Sequence, residues 1–315
     1  MRLVFLGSGE FARPTLQWLA TSSHVVSLVV TQPARESGRG RRVTPTPVRL
    51  LADELGLACL EAENVNDPAV VSRLASLEAR IGLVIAFGQK LGAGVTGAFP
   101  CGCVNLHASL LPRYRGAAPI HWALLQGERE TGVTVFRIVE RMDAGPILVQ
   151  RSLAIGADET AGALHDRLAE MGVEAVGEAL ATLENDNPPG RPQNNAEATV
   201  ARKLSKADGF VRFDRLGEEI ARHIRAMTPW PGATARFESG DGRWENVTLL
   251  RVRPLDEPIA ADFPIGSLDD KLRIRVKRGL LELVELKPSS GRGMSWSDYV
   301  NGRRVTPGDH FTSPA

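Results

Sequence analysis

Short apolar runs alternate with amphipathic stretches through the first two-thirds of the chain. Runs rich in β-branched residues predict strands at 3–6, 24–30, 82–87, 103–107 and 133–138. Apolar positions three to four residues apart predict helices at 11–21, 48–55, 68–77, 119–126 and 160–183. This alternation predicts a Rossmann-like α/β domain, with a mostly parallel sheet and helices on both faces. Ligands of such sheets bind at the carboxyl ends of the strands.

The pattern changes near residues 185–195, where Pro, Gly and Asn dominate and neither a helix nor an interior strand can continue. Shorter strand-like runs follow at 247–252, 271–276 and 280–286, with a turn predicted at Arg278-Gly279. These runs predict a small β-barrel. We therefore predict an α/β domain at 1–189, a linker at 190–206 and a barrel domain at 207–315.

Composition excludes several broad classes of protein. The 315 residues are 43% hydrophobic and 24% charged, which is typical of a globular protein rather than a disordered or collagen-like one. The apolar runs are far shorter than the ~20 residues of a membrane helix. Gly7 and Gly9 interrupt the first run before it reaches the length of a signal-peptide core. Three cysteines without disulfide-framework spacing favour a reducing compartment, so a cytoplasmic location is expected.

The net charge of +1 hides an uneven distribution. Residues 1–189 hold 17 Lys and Arg against 20 Asp and Glu, a net charge of −3, and residues 190–315 hold 21 against 17, a net charge of +4. Within the acidic half, the loop 35–49 carries five arginines and one glutamate. Such a concentration of positive charge is typical of a phosphate-binding surface, although most charged loops are simply solvated.

Two further basic clusters lie in the second half of the chain. Lys271, Arg273, Arg275 and Lys277 alternate with apolar residues, which predicts a strand with one basic and one buried face. Arg202, Lys203 and Lys206 lie between the two predicted domains. Three basic clusters along one chain favour an extended polyanion, and RNA is the natural candidate.

The turn after the first strand, Gly7-Ser8-Gly9-Glu10-Phe11-Ala12, fits the G-x-G-x-x-G/A fingerprint of dinucleotide-binding proteins. That fingerprint also requires an acidic residue at the end of the second strand to bind a ribose. Thr31-Gln32-Pro33 stands there instead. The sequence therefore favours a tight turn that packs a helix on a strand over a site for NAD.

The most chemically suggestive segment follows the strand at 103–107. Asn105 and His107 are two residues apart, so their side chains share one face of the strand. An amide and an imidazole there can both donate hydrogen bonds to one developing oxyanion, and an anionic partner such as Asp143 would hold the imidazole protonated and oriented. Polar core residues and a turn-capping aspartate are the alternative interpretations.

Other chemistries are less well supported. Cys103 and His107 lie roughly 13 Å apart on an extended strand, too far for a thiolate–imidazole pair. Ser109 lacks the G-x-S-x-G elbow of serine hydrolases. The remaining histidines are scattered singly, so we expect no metal site. Without an activated nucleophile, the pattern favours attack on a carbonyl by a group of the substrate itself.

The chain closely resembles the methionyl-tRNA formyltransferases, a family of 10-formyltetrahydrofolate-dependent enzymes, over essentially its whole length. The most specific part of the resemblance is Asn105-Leu106-His107 followed by Ser109-Leu110-Leu111-Pro112. Further matching segments are Phe5 to Ala12, Thr31-Gln32-Pro33, Gly38 to Arg42, Arg113 to Ile120, Glu130 to Thr134, Asp143-Ala144-Gly145, Lys203 to Lys206 and Pro229-Trp230-Pro231. The assignment to tRNA within the wider superfamily depends on the arginine loop.

The resemblance implies transfer of a formyl group from 10-formyltetrahydrofolate to the α-amine of methionine on initiator tRNA. It implies catalytic roles for Asn105, His107 and Asp143. It also implies a monomeric enzyme with an oligonucleotide-binding (OB)-like C-terminal barrel. The residues implied to bind folate are Ser109, Leu110, Leu111, Pro112, Phe87 and Gln89, with Phe87 standing where many members have Tyr. The residues expected to contact tRNA are Arg39, Arg41, Arg42, Lys203, Lys206, Lys271 and Arg273.

Three alternatives remain open at this point. A sugar-nucleotide amine formyltransferase and a 10-formyltetrahydrofolate hydrolase share the Asn-x-His and Asp pattern, and the arginine loop weighs against both. A non-catalytic RNA-binding protein would tolerate an incomplete catalytic set, whereas all three positions are occupied here.

Overall fold

A computed structural model describes residues 1–37, 42–185, 187–257 and 263–314. The chain divides into two compact units. The first unit comprises Met1–Pro119, Glu130–Ala154 and His165–Ala201. The second comprises Ile120–Arg129, Ile155–Leu164 and Arg202–Ala315. The domain boundaries expected from the sequence stay a prediction.

The elements below are numbered in chain order. The strands are β1 (Arg2–Gly7), β2 (Val25–Thr31), β3 (Arg35–Ser37), β4 (Arg42–Thr44), β5 (Cys59–Glu61), β6 (Ile81–Ile85), β7 (Cys103–His107), β8 (Arg115–Gly116), β9 (Glu130–Arg137), β10 (Ile147–Ala154), β11 (Val200–Ala201), β12 (Ala233–Glu238), β13 (Trp244–Leu255), β14 (Ile274–Arg275), β15 (Leu280–Pro288), β16 (Met294–Ser295) and β17 (His310–Thr312). The helices are α1 (Arg13–Thr21), α2 (Pro47–Glu54), α3 (Pro68–Ala75), α4 (Ala93–Gly97), α5 (Pro119–Gln126), α6 (Ala161–Asn185), α7 (Gly217–Met227) and α8 (Trp296–Arg303). Among the described residues, no helix combines the length and the apolar character needed to cross a membrane.

The first unit is built on a seven-stranded sheet with the order β10-β9-β7-β6-β1-β2-β5. Its neighbours from β7 to β5 pair in parallel, and β9 and β10 complete the sheet in antiparallel pairing. This confirms the prediction of a mostly parallel sheet.

Apolar side chains cover both faces of the central strands. Cys103 lies in a core cluster with Val84 and Phe99, while Leu106 packs against α6, where a Cβ added at Gly172 would lie 2.5 Å from Leu106 Cδ2. The side chains of β7 therefore alternate between the two faces of the sheet, as expected. Asn105 and His107 belong to the same face as Cys103, opposite to Leu106.

The second unit contains a six-stranded antiparallel sheet, in which β14-β15-β13-β12-β17 form one path and β16 pairs with β15. The segment 266–268 connects the two ends of this path. The Gly266 amide donates to Arg275 O at 2.8 Å, and the Phe311 amide donates to Gly266 O at 2.8 Å. The sheet thus curls into a nearly closed barrel, as the strand pattern predicted.

The prediction of a six-residue strand at 271–276 is wrong, because β14 covers only two of those positions. The Asp269 carboxylate accepts the backbone amides of Lys271 at 3.0 Å and Arg273 at 2.8 Å. Leu272 has a left-handed backbone with φ of +57°. An Asp side chain that bonds the backbone two residues on forms a turn in competition with the strand ladder.

Candidate active site

The glycine-rich turn after β1 is held by other loops at the same edge of the sheet. The amides of Ser8 and Gly9 both donate to Ala86 O, at 3.3 and 3.2 Å. Ser8 Oγ donates to Phe87 O at 3.2 Å and accepts the Gln32 amide at 3.1 Å. The amides of Ser8 and Gly9 are therefore engaged within the protein, which agrees with the tight-turn interpretation.

His107 ends β7 and is buried, with Phe136 edge-on to its ring at 6.5 Å between centroids. Its Nε2 lies 2.9 Å from the carbonyl oxygen of Tyr114. Because a carbonyl oxygen only accepts hydrogen bonds, Nε2 is the nitrogen that carries hydrogen in this contact. Nδ1 is therefore the nitrogen left for exchanging a proton or donating to a ligand.

Asp143 faces this second nitrogen. Its Oδ2 lies 4.0 Å from His107 Nδ1 and accepts a 2.8 Å hydrogen bond from the Gly116 amide. Asp143 has a left-handed backbone with φ of +52°, which is uncommon for a residue with a side chain and is typical of strained functional sites. The structure thus brings His107 and Asp143 together, a pairing that the spacing left open and the family resemblance implied.

Asn105 lies one pleat before His107 on the same face of β7, between Val84 of β6 and Phe136 of β9. Its side chain is half-buried, and among the described residues its amide makes no hydrogen bond. An amide donor beside an imidazole can stabilise an oxyanion that develops on a ligand carbonyl. Asn105 and His107 therefore lie on one face at the end of β7, with Asp143 Oδ2 4.0 Å from His107 Nδ1, and the catalytic roles of all three stay a prediction.

A segment predicted as linker completes the site. β11 pairs in parallel with β8, so that Ala201 lies opposite Gly116. A Cβ at Gly116 would lie 2.6 Å from Ala201 O. The φ of Gly116 is +116°, so both the lack of space and the backbone conformation favour glycine at this position. Because the Gly116 amide binds Asp143, this strand pair positions the carboxylate.

Sequence reasoning missed one polar group at the site, Gln193. Its amide nitrogen donates to the carbonyl oxygens of Asp143 at 2.9 Å and Gly145 at 2.8 Å. The Pro- and Asn-rich surroundings of Gln193 predicted a linker, and nothing in the sequence spacing connects it with a turn 50 positions earlier.

The four residues 109–112, expected to bind folate, form the turn after β7. Ser109 is fully buried, and its hydroxyl donates to Arg113 O at 2.7 Å. Leu111 packs with Phe136 and Ile147, whereas Leu110 and Pro112 are half-buried. Ser109 and Leu111 therefore shape the turn from within, and the folate contacts of all four residues stay a prediction.

Phe87 and Gln89 also make internal contacts. The Phe87 ring is 2% exposed and packs in the core cluster on one face of the sheet. The Gln89 side chain accepts the Val65 amide at 2.8 Å and donates to Ala62 O at 2.8 Å. Both side chains support the loops at this edge, and their expected folate contacts stay a prediction.

The basic residues expected to contact tRNA differ in how available their charges are. Arg39 and Arg41 lie outside the described residues. Arg42 begins β4, which pairs with β3, and is exposed. Lys203 and Lys206 are also exposed.

Lys271 and Arg273 belong to the Asp269 turn, and only Lys271 is exposed. The Arg273 side chain is 18% exposed and forms ion pairs with Asp269 at 2.7 Å and Glu257 at 2.5 Å. Two carboxylates balance its charge, so Arg273 is poorly placed to bind a phosphate. Lys271 is exposed, and its contact with tRNA stays a prediction.

Comparisons with known proteins show which family the chain is similar to. Residues 1–180 match the family described as formyl transferase, and residues 203–304 match the formyl transferase C-terminal domain. The methionyl-tRNA formyltransferase of Methylococcus capsulatus is 42% identical over 311 residues, with 97% of this chain and 98% of that protein covered. The methionyl-tRNA formyltransferase of Heliobacterium modesticaldum is 40% identical over 324 residues, with 99% of this chain and 100% of that protein covered.

Solved structures share the fold at lower identity. HypX from Aquifex aeolicus, crystallised with tetrahydrofolic acid, is 18% identical with a TM-score of 0.62. The match covers 95% of this chain and 47% of the HypX chain. An N-formyltransferase from Helicobacter canadensis, in complex with folinic acid and dTDP-3-aminofucose, is 17% identical with a TM-score of 0.63. The match covers 89% of this chain and 98% of that protein.

We expect Cys103 to be dispensable for turnover. Burial raises the pKa of its thiol to about 12, so the thiolate is scarce at neutral pH. Cys103→Ala should retain turnover within about threefold of the parent, since a group that is not the nucleophile removes no covalent step. Iodoacetamide labelling of the folded protein, read by peptide mass spectrometry, should leave Cys103 unmodified at pH 8. A large loss of turnover together with rapid alkylation would restore the thiol mechanism.

Proposed function

Because the chain belongs to the methionyl-tRNA formyltransferase family, we propose that it transfers a formyl group from 10-formyltetrahydrofolate to the α-amine of methionyl initiator tRNA. The observation that carries this proposal is that Asn105 and His107 share one face at the end of β7, with Asp143 Oδ2 4.0 Å from His107 Nδ1. No step requires a protein nucleophile, because the amine of the substrate attacks directly.

Asn105 and His107 stabilise the charge that develops on the formyl oxygen. The folate cosubstrate supplies the formyl group already attached to a nitrogen leaving group. Its formyl oxygen suits the unengaged Asn105 amide, which donates to that oxygen as negative charge builds on it. Protonated His107 donates from Nδ1, the nitrogen that the Tyr114 carbonyl leaves available. A site with preformed donors reorganises little during the reaction, which is why such contacts accelerate it.

Asp143 stabilises the protonated imidazole and assists removal of a proton from the attacking amine. As the bond between the formyl carbon and the folate nitrogen breaks, that nitrogen takes up a proton, so tetrahydrofolate leaves neutral and the net proton count is unchanged. The Gly116 amide fixes one carboxylate oxygen, so the carboxylate cannot turn away from the imidazole. The 4.0 Å separation from Nδ1 leaves the imidazole proton free to point at the substrate instead of being held by Asp143.

The exposed basic residues fit a polyanionic acceptor. Arg42 lies on a two-stranded hairpin of the acidic N-terminal half, and Lys203, Lys206 and Lys271 are exposed in the second unit. Lys and Arg side chains that neutralise phosphates supply binding energy without reading the base sequence. We therefore assign these residues to the tRNA backbone and place Arg39 and Arg41 with Arg42 in the same role.

The proposal predicts formyl transfer to charged initiator tRNA. Radiolabelled formyl should appear on methionylated initiator tRNA in step with tetrahydrofolate release and should be much slower to appear on methionylated elongator tRNA. Asn105→Ala should lower kcat by about 10²–10³-fold, the usual cost of losing one oxyanion donor. Circular dichroism should match that of the parent protein, and Cys103→Ala, on the same strand, serves as the control.

Two outcomes would contradict the proposal. Tetrahydrofolate release without labelling of tRNA would favour a hydrolase, and labelling of a sugar-nucleotide amine in preference to tRNA would favour the sugar enzyme. Near-normal turnover of Asn105→Ala would remove Asn105 from the catalytic set while leaving the overall activity in place.

Arg42→Ala should mainly weaken tRNA binding. Each phosphate contact contributes to the slope of log affinity against log salt, so losing one should reduce that slope by about 1. Arg49→Ala is a matched control, because it removes the same charge from the neighbouring helix α2, where Arg49 is already paired with Asp53 at 2.9 Å. Filter binding across a salt series measures both slopes. An unchanged slope in Arg42→Ala would mean that the hairpin is only a solvated surface.

A further inference from the structure

The Asp143 turn is held by two hydrogen bonds from a distant side chain. Gln193 Nε2 donates to Asp143 O at 2.9 Å and to Gly145 O at 2.8 Å, so one amide group spans the turn from its first to its third residue. Gln193 itself is half-buried and follows Pro192 in the segment that leads, through a 3₁₀ turn at Asn195–Glu197, to β11.

The orientation of the Gln193 amide is fixed by Arg115. Nε and a terminal nitrogen of the Arg115 guanidinium donate to Gln193 Oε1 at 3.1 and 2.7 Å. A guanidinium only donates, so the amide oxygen must face it and the amide nitrogen must face the turn. The contacts on both sides of the amide therefore agree on a single orientation.

Arg115 is itself a buried charge, only 7% exposed. Burial lowers the pKa of its guanidinium, the charge of Arg141 lowers it further, and the Asp143 carboxylate opposes both effects. Its second acceptor is Asn195 Oδ1 at 2.9 Å. A buried cation that binds neutral amides strengthens those contacts, since charge-assisted hydrogen bonds are the stronger kind.

The turn needs such support because its backbone is strained. Asp143 is left-handed at φ of +52°, and a Cβ at Gly145 would overlap the carbonyl oxygen of Arg137. Strained positions persist only where the surroundings over-determine them. The Gly116 amide holds the carboxylate, and Gln193 holds the main chain on either side of Ala144.

We propose that Gln193 is a positioning residue that acts through Asp143, holding its carboxylate at the distance from His107 at which turnover is fastest. This inference rests on the proposed function of Asp143. Among the described residues, the Gln193 side chain bonds Arg115 and the Asp143 turn, and through that turn it would act on the reaction. An error of about 1 Å in the placement of a catalytic group can cost on the order of 10²-fold in rate.

Gln193→Glu tests the contact with the Asp143 turn separately from the contact with Arg115. It keeps an oxygen for Arg115 but presents a second oxygen, without hydrogen, to the carbonyls of Asp143 and Gly145. We expect kcat for formyl transfer to fall by about 10–100-fold, because misplacing a catalytic group costs turnover rather than binding. KM for both substrates should stay within about threefold, since turnover rather than uniform binding is lost. Gln193→Met, of similar length with neither donor nor charge, should behave alike.

Asn195→Ala is the matched control. Asn195 lies in the same segment and accepts from the same arginine, yet among the described residues it makes no hydrogen bond to the Asp143 turn. Its kcat should stay close to that of the parent protein. An equal loss in Asn195→Ala and Gln193→Glu would mean that any damage to the segment lowers turnover, which would overturn a specific role for Gln193.

A double-mutant cycle distinguishes positioning from general structural support. If Gln193 acts through Asp143, Gln193→Glu should cost nothing further in an Asp143→Ala background, because the group that it positions is gone. Losses that multiply would overturn the proposal. Full turnover in Asp143→Ala alone would refute the catalytic role of Asp143, whereas loss in Asp143→Ala with full turnover in Gln193→Glu would refute only the positioning role.

Discussion

The site depends on the different partners of the two ring nitrogens of His107. Nε2 donates to the Tyr114 carbonyl, while Nδ1 faces the Asp143 carboxylate at 4.0 Å. This division holds the ring in one orientation and leaves a single nitrogen for the substrate. Without these two neighbours, the imidazole would lose the contacts that orient it towards the oxyanion that it is proposed to share with Asn105.

Several distant parts of the chain maintain that arrangement at a cost in backbone strain. Tyr114 and Asp143, the two residues that face the ring nitrogens, both have left-handed backbones. Gly116 and Gly145 occupy positions where a Cβ would collide with main-chain oxygens. Strain of this kind is typical of functional sites and is offset by the surrounding hydrogen bonds, here those of Gln193 and of the β8–β11 pair.

The sequence predicted local features of the molecule better than distant contacts. The period of two along 103–107 correctly placed Asn105 and His107 on one face of a strand, because side-chain alternation is a property of the extended backbone itself. The same rule failed at 271–276, where the Asp269 carboxylate captures two amides and ends the strand. The contact between Gln193 and the Asp143 turn could not be predicted for a different reason, because these residues become neighbours only after folding.

The assignment of the His107 nitrogens is tested most directly by nitrogen NMR of the intact protein labelled with ¹⁵N-histidine. His107→Gln identifies the resonance by its disappearance. At a pH where the ring is neutral, Nε2 should show the chemical shift of a protonated nitrogen and Nδ1 that of an unprotonated one. The opposite tautomer, with hydrogen on Nδ1, would contradict the account, because Nε2 could then no longer donate to the Tyr114 carbonyl.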